Sequence, residues 1–168
     1  MNDLKGAAKV GGYFTIEHFR DGKLIGKETT HNLLTNQGLN HVLDVVLHGT
    51  TPVSPWYIAI FEGNYTPTSG DTAANFTANA TESTAYDEAT RVEYTEAAAS
   101  SQSTTNSASK ATFTINATKT IYGAALMSAS AKSATTGTCL AVTRFTTSRA
   151  VIAADVLQVT YTISAASA

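Results

Sequence analysis

The chain has 168 residues, enough for one domain with a real core, and 43% of them are hydrophobic. Charged residues supply only 14% and the net charge is -2, with Lys and Arg scattered, so neither a nucleic-acid footprint nor a basic membrane-surface helix is present. The single cysteine excludes an internal disulfide framework, and no apolar run reaches the ~20 residues of a membrane span.

Residues 1–12 contain Gly6, Gly11 and Gly12 and lack a core-facing pattern, so they read as an N-terminal arm with Leu4 and Val10 as its apolar contacts. Such an arm either frays or orders on a neighbouring subunit. No apolar core of a signal peptide lies within it, so synthesis and folding in a cytoplasm are expected. Residues 13–168 are expected to form one β-sandwich domain. Tyr13–Arg20 and Lys23–Thr30 flank Asp21-Gly22, a strong signal for a two-residue hairpin, because both central residues of a type I′ turn need positive φ. Phe14, Ile16 and His18 share one face of the first strand; Tyr13, Thr15, Glu17 and Phe19 share the other. Aromatics on both faces suggest that one meets the core and the other a partner.

Leu39, Val42, Leu43, Val46 and Leu47 fall at i, i+3, i+4, i+7 and i+8, the apolar stripe of a helix over about 36–48. Thr35 or Asn36 can cap its start, and Gly49 suits the left-handed residue past its end. As the one strongly helical pattern among strands, it is expected to pack its stripe against a sheet. Trp56–Phe61 is a nearly all-apolar strand of the kind buried on both faces. A long loop follows at about 62–89, with turns at Gly63, Pro67, Gly70 and Asp71 and with Tyr65, Phe76 and Tyr86 spaced to pin it. Thr90–Thr95 alternates as a half-buried strand, and Glu96–Ser109 is low in complexity and reads as a surface loop. Strands resume at Lys110–Ala117, Thr120–Ser130 and Thr138–Thr146. In Val156–Ile163 the residues Leu157, Val159, Tyr161 and Ile163 form one clean apolar face. Seven or eight strands, one short α-helix and no repeated βαβ spacing predict a mainly β fold, an antiparallel β-sandwich of jelly-roll type.

No catalytic constellation is visible, and the chain is not expected to be an enzyme. His41 and His48 are two helical turns apart, rather than the one turn that favours joint metal ligation; with His18 and His31 they read as ordinary polar residues. Glu82, Asp87, Glu88, Glu93 and Glu96 form a loose acidic run that reads as a solvated face. Cys139, in a strand-like run, reads as a small buried apolar residue. No cofactor or metal is expected. Asn64, Asn75, Asn79 and Asn116 match the glycosylation pattern only as products of an Asn/Thr-rich chain. Trp56, Tyr57 and Tyr65 could build a sugar-stacking platform, although core packing suits Trp56 and Tyr57 better.

The phrases Asn32-Leu-Leu-Thr-Asn-Gln-Gly-Leu-Asn, Trp56-Tyr-Ile-Ala-Ile-Phe-Glu-Gly-Asn-Tyr-Thr-Pro and Gly70-Asp-Thr-Ala-Ala-Asn-Phe resemble a family of small structural proteins of tailed bacteriophages. Thr120-Ile-Tyr-Gly-Ala-Ala-Leu and Ala154-Asp-Val-Leu-Gln-Val-Thr-Tyr-Thr-Ile fit the same likeness, which covers most of the chain from Asn32 onward. The resemblance implies a head decoration, or cement, protein on the capsid exterior of a virion, bridging copies of the major capsid protein. It also implies self-association as a dimer or trimer, with no nucleic acid or membrane as partner. The alternative is a tail- or fibre-associated module that binds host-surface carbohydrate through Tyr65, Phe76 and the long loop. The residues expected at a partner interface are Leu4, Val10, Tyr13, Phe19, Tyr65 and Phe76.

Overall fold

The computed structural model describes residues 8–167. In chain order the elements are β1 (Ala8–Arg20), β2 (Lys23–His31), β3 (Leu33–Leu34), α1 (Asn36–Leu47), β4 (Trp56–Phe61), α2 (Ala73–Ala80), β5 (Val92–Tyr94), β6 (Ser103–Thr105), β7 (Ala111–Thr114), β8 (Lys119–Met127), β9 (Cys139–Val151) and β10 (Val156–Ser167). They form two antiparallel five-stranded sheets, so the fold is a mainly β sandwich. The first sheet runs β2-β1-β10-β6, with β7 also on β10; the second runs β3-β9-β8-β4-β5.

The first hairpin follows its turn chemistry. Asp21 and Gly22 have φ of 50° and 73°, and Arg20 pairs with Lys23 across them. β10 pairs with β1 from Ala8↔Ser167 to Phe19↔Val156. Its other edge is shared by two short strands, β7 beside Val156–Val159 and β6 beside Thr162–Ser164. Asn106 fills the gap between them. Its Nδ2 donates to Val159 O at 3.1 Å and its Oδ1 accepts from Tyr161 N at 2.8 Å, so a side chain replaces the missing stretch of ladder.

Between the sheets lie Phe14 and Ile16 of β1, Leu157, Val159 and Tyr161 of β10, Ile58 and Ile60 of β4, and Ile121 of β8, all fully buried. Phe14 stacks on Tyr161 with ring centroids 4.3 Å apart. The alternate residues of β4, Ala59 and Phe61, face the other way into a second cluster under Ala73, Phe76 and Ala80 of α2. β4 is apolar throughout because α2 buries the face that the sandwich does not. Gly123 on β8 makes this possible. A Cβ there would lie 2.2 Å from Phe61 Cζ and 2.1 Å from Thr143 O. Gly123→Ala is expected to destabilise the fold by about 1–3 kcal/mol, read as a lower urea midpoint, and Phe61→Leu in the same chain to recover part of the loss.

Three expectations change. Residues 8–12, assigned to the arm, are the first part of β1, because backbone pairing to β10 needs no side-chain pattern. Leu4 and the rest of residues 1–7 lie outside the described residues. Among the described residues two helices are present rather than one: the loop over 62–89 carries α2, whose Thr72 Oγ1 accepts from Asn75 N while Asn75 Oδ1 accepts from Thr72 N. Within the low-complexity stretch, Ser103–Thr105 form β6.

Glu82, expected on a solvated face, and Arg91 are both buried. Their side chains have zero exposure, and Arg91 Nε and Nη2 donate to the two Glu82 oxygens at 2.8 and 2.6 Å. Arg91 also donates to the carbonyls of Ala129 and Ala134, tying the β8–β9 connection to the segment before β5. Near the β9–β10 turn, buried Asp155 accepts from Arg20 Nε and Nη2 at 2.8 and 2.7 Å, from His18 Nε2 at 2.8 Å and from Ile152 N at 3.0 Å.

Candidate assembly surface

α1 begins where its sequence places it. Thr35 caps it, its hydroxyl accepting from Gly38 N at 2.9 Å, and Gly49 follows its end at a φ of 74°. Its orientation is the reverse of the expected one. The residue turned fully inward is Gly38, which lies so close to β9 that a Cβ would fall 2.4 Å from Leu140 O and 2.7 Å from Leu140 Cα. Gln37 fixes this docking: its Oε1 accepts from Ala73 N and Cys139 N, each at 2.9 Å, and its Nε2 donates to Gly137 O at 3.0 Å.

With Gly38 inside, most of the apolar stripe faces solvent. Leu39 is 40% exposed, Leu43 55%, Val46 72% and Leu47 79%. Val42 alone of the stripe packs on the core. Beside it, α1 and the Pro52-Val53 segment enclose a hollow of about 210 Å³, floored by Trp56 and Leu140. His41 meets the Trp56 ring edge-on with centroids 5.6 Å apart, so it packs as an aromatic rather than serving as a ligand. A second apolar hollow, about 380 Å³, runs from Val42 to Val10, Ile163 and Ala165. Val42 borders both, so one apolar surface extends from the exposed helix to the ends of β1 and β10. Contiguous apolar surface of this kind marks sites where another protein or a ligand is accommodated.

The residues singled out from the sequence separate in space. Val10 borders this surface, whereas Tyr13 stands on the outer face of the first sheet and is 38% exposed. Phe19 is half-buried at the bulge near the hairpin end. Phe76 is fully buried beneath α2, its ring 5.9 Å from that of Phe61, and cannot touch a partner. Tyr65 is half-buried with its hydroxyl donating to Asp71 Oδ1, and burial first, then this bond, raises its pKa. The receptor face assigned to Tyr65 and Phe76 is therefore not assembled. Leu39, Leu43, Val46 and Leu47 were legible as a stripe but not as a surface.

Chemistry at the remaining candidates is quiet. Cys139 is buried and burial pushes its thiol up to about 12, which leaves it without thiolate at neutral pH. Among the described residues no group of three or more His, Cys, Asp or Glu is placed to hold a metal ion, and no helix is long and apolar enough to cross a membrane.

The described residues thus form a β-sandwich that carries a bare apolar helix face. Residues 32–164 match the family model described as podophage GP4 fiber I protein gp80, and the chain belongs to that family. It is thus a phage structural protein. No curated protein matches the chain.

Proposed function

We propose that the chain is a non-enzymatic structural module of a short-tailed phage fibre, joined to further copies of itself through the α1 face. The exposed row Leu39, Leu43, Val46 and Leu47 is the observation that carries this reading. Left in water, such a row forgoes about 25 cal/mol for every Å² that a partner would cover. The family description supports the fibre over the capsid exterior expected from the sequence, and the role of bridging the major capsid protein finds no specific support.

Two measurements test the proposal. Antibody against the exposed β2 hairpin, followed by electron microscopy of virions, is expected to label the fibres; label spread over the head would restore the decoration reading. Leu43→Glu with Val46→Glu is expected to abolish self-association in sedimentation velocity. Each exposed substitution should change stability by no more than about 0.5 kcal/mol. A wild-type chain that stays monomeric at high concentration would sink the self-association part.

A further inference from the structure

We propose that the α1 face of one copy takes the hairpin end of the next, so that the modules stack head to tail along the strand direction. The inference rests on self-association through α1 and adds the surface that α1 meets. Two long strands fix the geometry. β1 starts at the hollow that Val10 shares with Val42 of α1, and it ends at the turn of the first hairpin. β9 starts beneath α1 at Cys139 and Leu140 and ends beside the same hairpin, where Arg20 Nη2 donates to Ala150 O at 3.3 Å. From Val10 to Phe19 a strand covers about 30 Å at its usual rise per residue. The α1 face and the hairpin turn therefore occupy opposite ends of the sandwich.

The hairpin end is apolar where an edge strand is usually charged. Leu24, Ile25 and, in the β9–β10 turn, Ile152 are 50%, 52% and 43% exposed. β2 is the edge of the first sheet, a place that proteins commonly blunt with charge against pairing with other chains. Its ladder steps from His18↔Gly26 to Phe19↔Leu24 and leaves Ile25 unpaired; a bulge of this kind re-aims side chains out of strict alternation. Apart from these three and the α1 row, only Tyr13 and Leu33 are large exposed hydrophobics among the described residues. Exposed apolar surface is thus concentrated at the two ends.

Charge agrees with this pairing. Asp44 is exposed, lies one turn from Leu47 and is the only carboxylate of α1, which has no lysine or arginine. At the hairpin, Arg20 is held by Asp155, and Lys27 by Glu17, whose other oxygen accepts from Lys110. The exposed Asp21 of the turn acts on Arg20. Lys23, next to Leu24, is exposed and has no ion-pair partner among the described residues, so it is the cation that can meet Asp44 of the next copy. A contact of α1 with α1 would offer Asp44 no lysine or arginine from the facing helix and would leave the hairpin end bare. Patches at opposite ends make a heterologous contact, which leaves one end of every copy open and propagates.

The test is sedimentation velocity on the full chain, as wild type and as two variants. Leu43→Glu/Val46→Glu breaks the α1 face; Leu24→Glu/Ile25→Thr breaks the hairpin end while keeping a β-branched residue in β2. Wild type is expected to form a series of sizes that lengthens with concentration. Each variant alone should be monomeric. Mixed in equal amounts they should form a dimer of one with the other and stop there, because the ends left over are the damaged ones. A hairpin variant that associates like wild type, wild type that stops at a dimer, or a mixture that stays monomeric would each overturn the head-to-tail contact. The first two leave self-association through α1 standing, whereas a wild type monomeric at every concentration ends both. A second pair of variants leaves the apolar ends untouched: Lys23→Glu should weaken association about three- to tenfold, and Asp44→Lys in the same chain should restore it. No loss, or loss without rescue, would overturn the pairing of the two ends.

Discussion

Replacing Arg91 with methionine is expected to lower stability by about 3–5 kcal/mol. Wild-type Arg91 and Glu82 have no exposed side-chain surface, so the variant leaves a carboxylate in the interior without its counter-charge, held only by the Thr77 hydroxyl at 3.3 Å. It also releases the Ala129 and Ala134 carbonyls, which hold the β8–β9 connection in place. A domain of this size has only about 5–15 kcal/mol in hand, so the midpoint of chemical unfolding should fall sharply at unchanged slope. Glu82→Leu in the same chain should recover much of the loss, since an apolar pair of similar volume removes the stranded charge. A loss below about 1 kcal/mol for Arg91→Met would mean that water reaches Glu82.

Asp155→Asn is expected to cost about 2–3 kcal/mol at neutral pH and to flatten the acid limb of the stability profile. The Arg20 guanidinium, aided by Ile152 N and His18, holds the Asp155 carboxyl well below the usual carboxylate range. Its folded pKa is thus depressed relative to the unfolded chain, where an aspartate titrates near about 3.9. The stabilisation is complete above that value and disappears as pH falls through the folded pKa. Arg20 is partly exposed, so its share is screened by solvent and salt. Melting temperatures of wild type and variant should therefore draw steadily closer as pH falls below about 3.9 towards the folded pKa, having differed most at neutral pH. Glu17 and Glu28 also have lowered pKa values and fade over the same range, but they are common to both proteins. Parallel melting curves across the acid range would show that Asp155 is not the group responsible.

Both predictions concern charges that no local pattern exposes. Glu82 and Arg91 sit in a connection and at a strand start, and their burial follows from the β8–β9 connection folding over them. Glu17 and Lys27 are different. Once Asp21-Gly22 sets the hairpin, cross-strand register places them opposite each other, and only Lys110 requires the third segment to arrive. α2 had a readable start at Thr72 and Asn75, but its Ala, Asn and Thr interior has little helical preference, and Asn stood in the box where Glu or Gln is usual.

The sequence by itself determined the local elements: the hairpin at Asp21-Gly22, the span of α1 between Thr35 and Gly49, the two-faced burial of β4 and the alternation of β10. Each follows from dihedral preference or side-chain period within a few residues. Tertiary structure alone decided which side of α1 turns inward. The apolar stripe is wider and more hydrophobic than the Gly38 side, and periodicity favours burying it. Yet only a residue without a Cβ can meet Leu140 at that distance, and Gln37 clamps the helix in that pose. Close backbone packing on β9 therefore outweighed burial of Leu43, Val46 and Leu47, and left them on the surface.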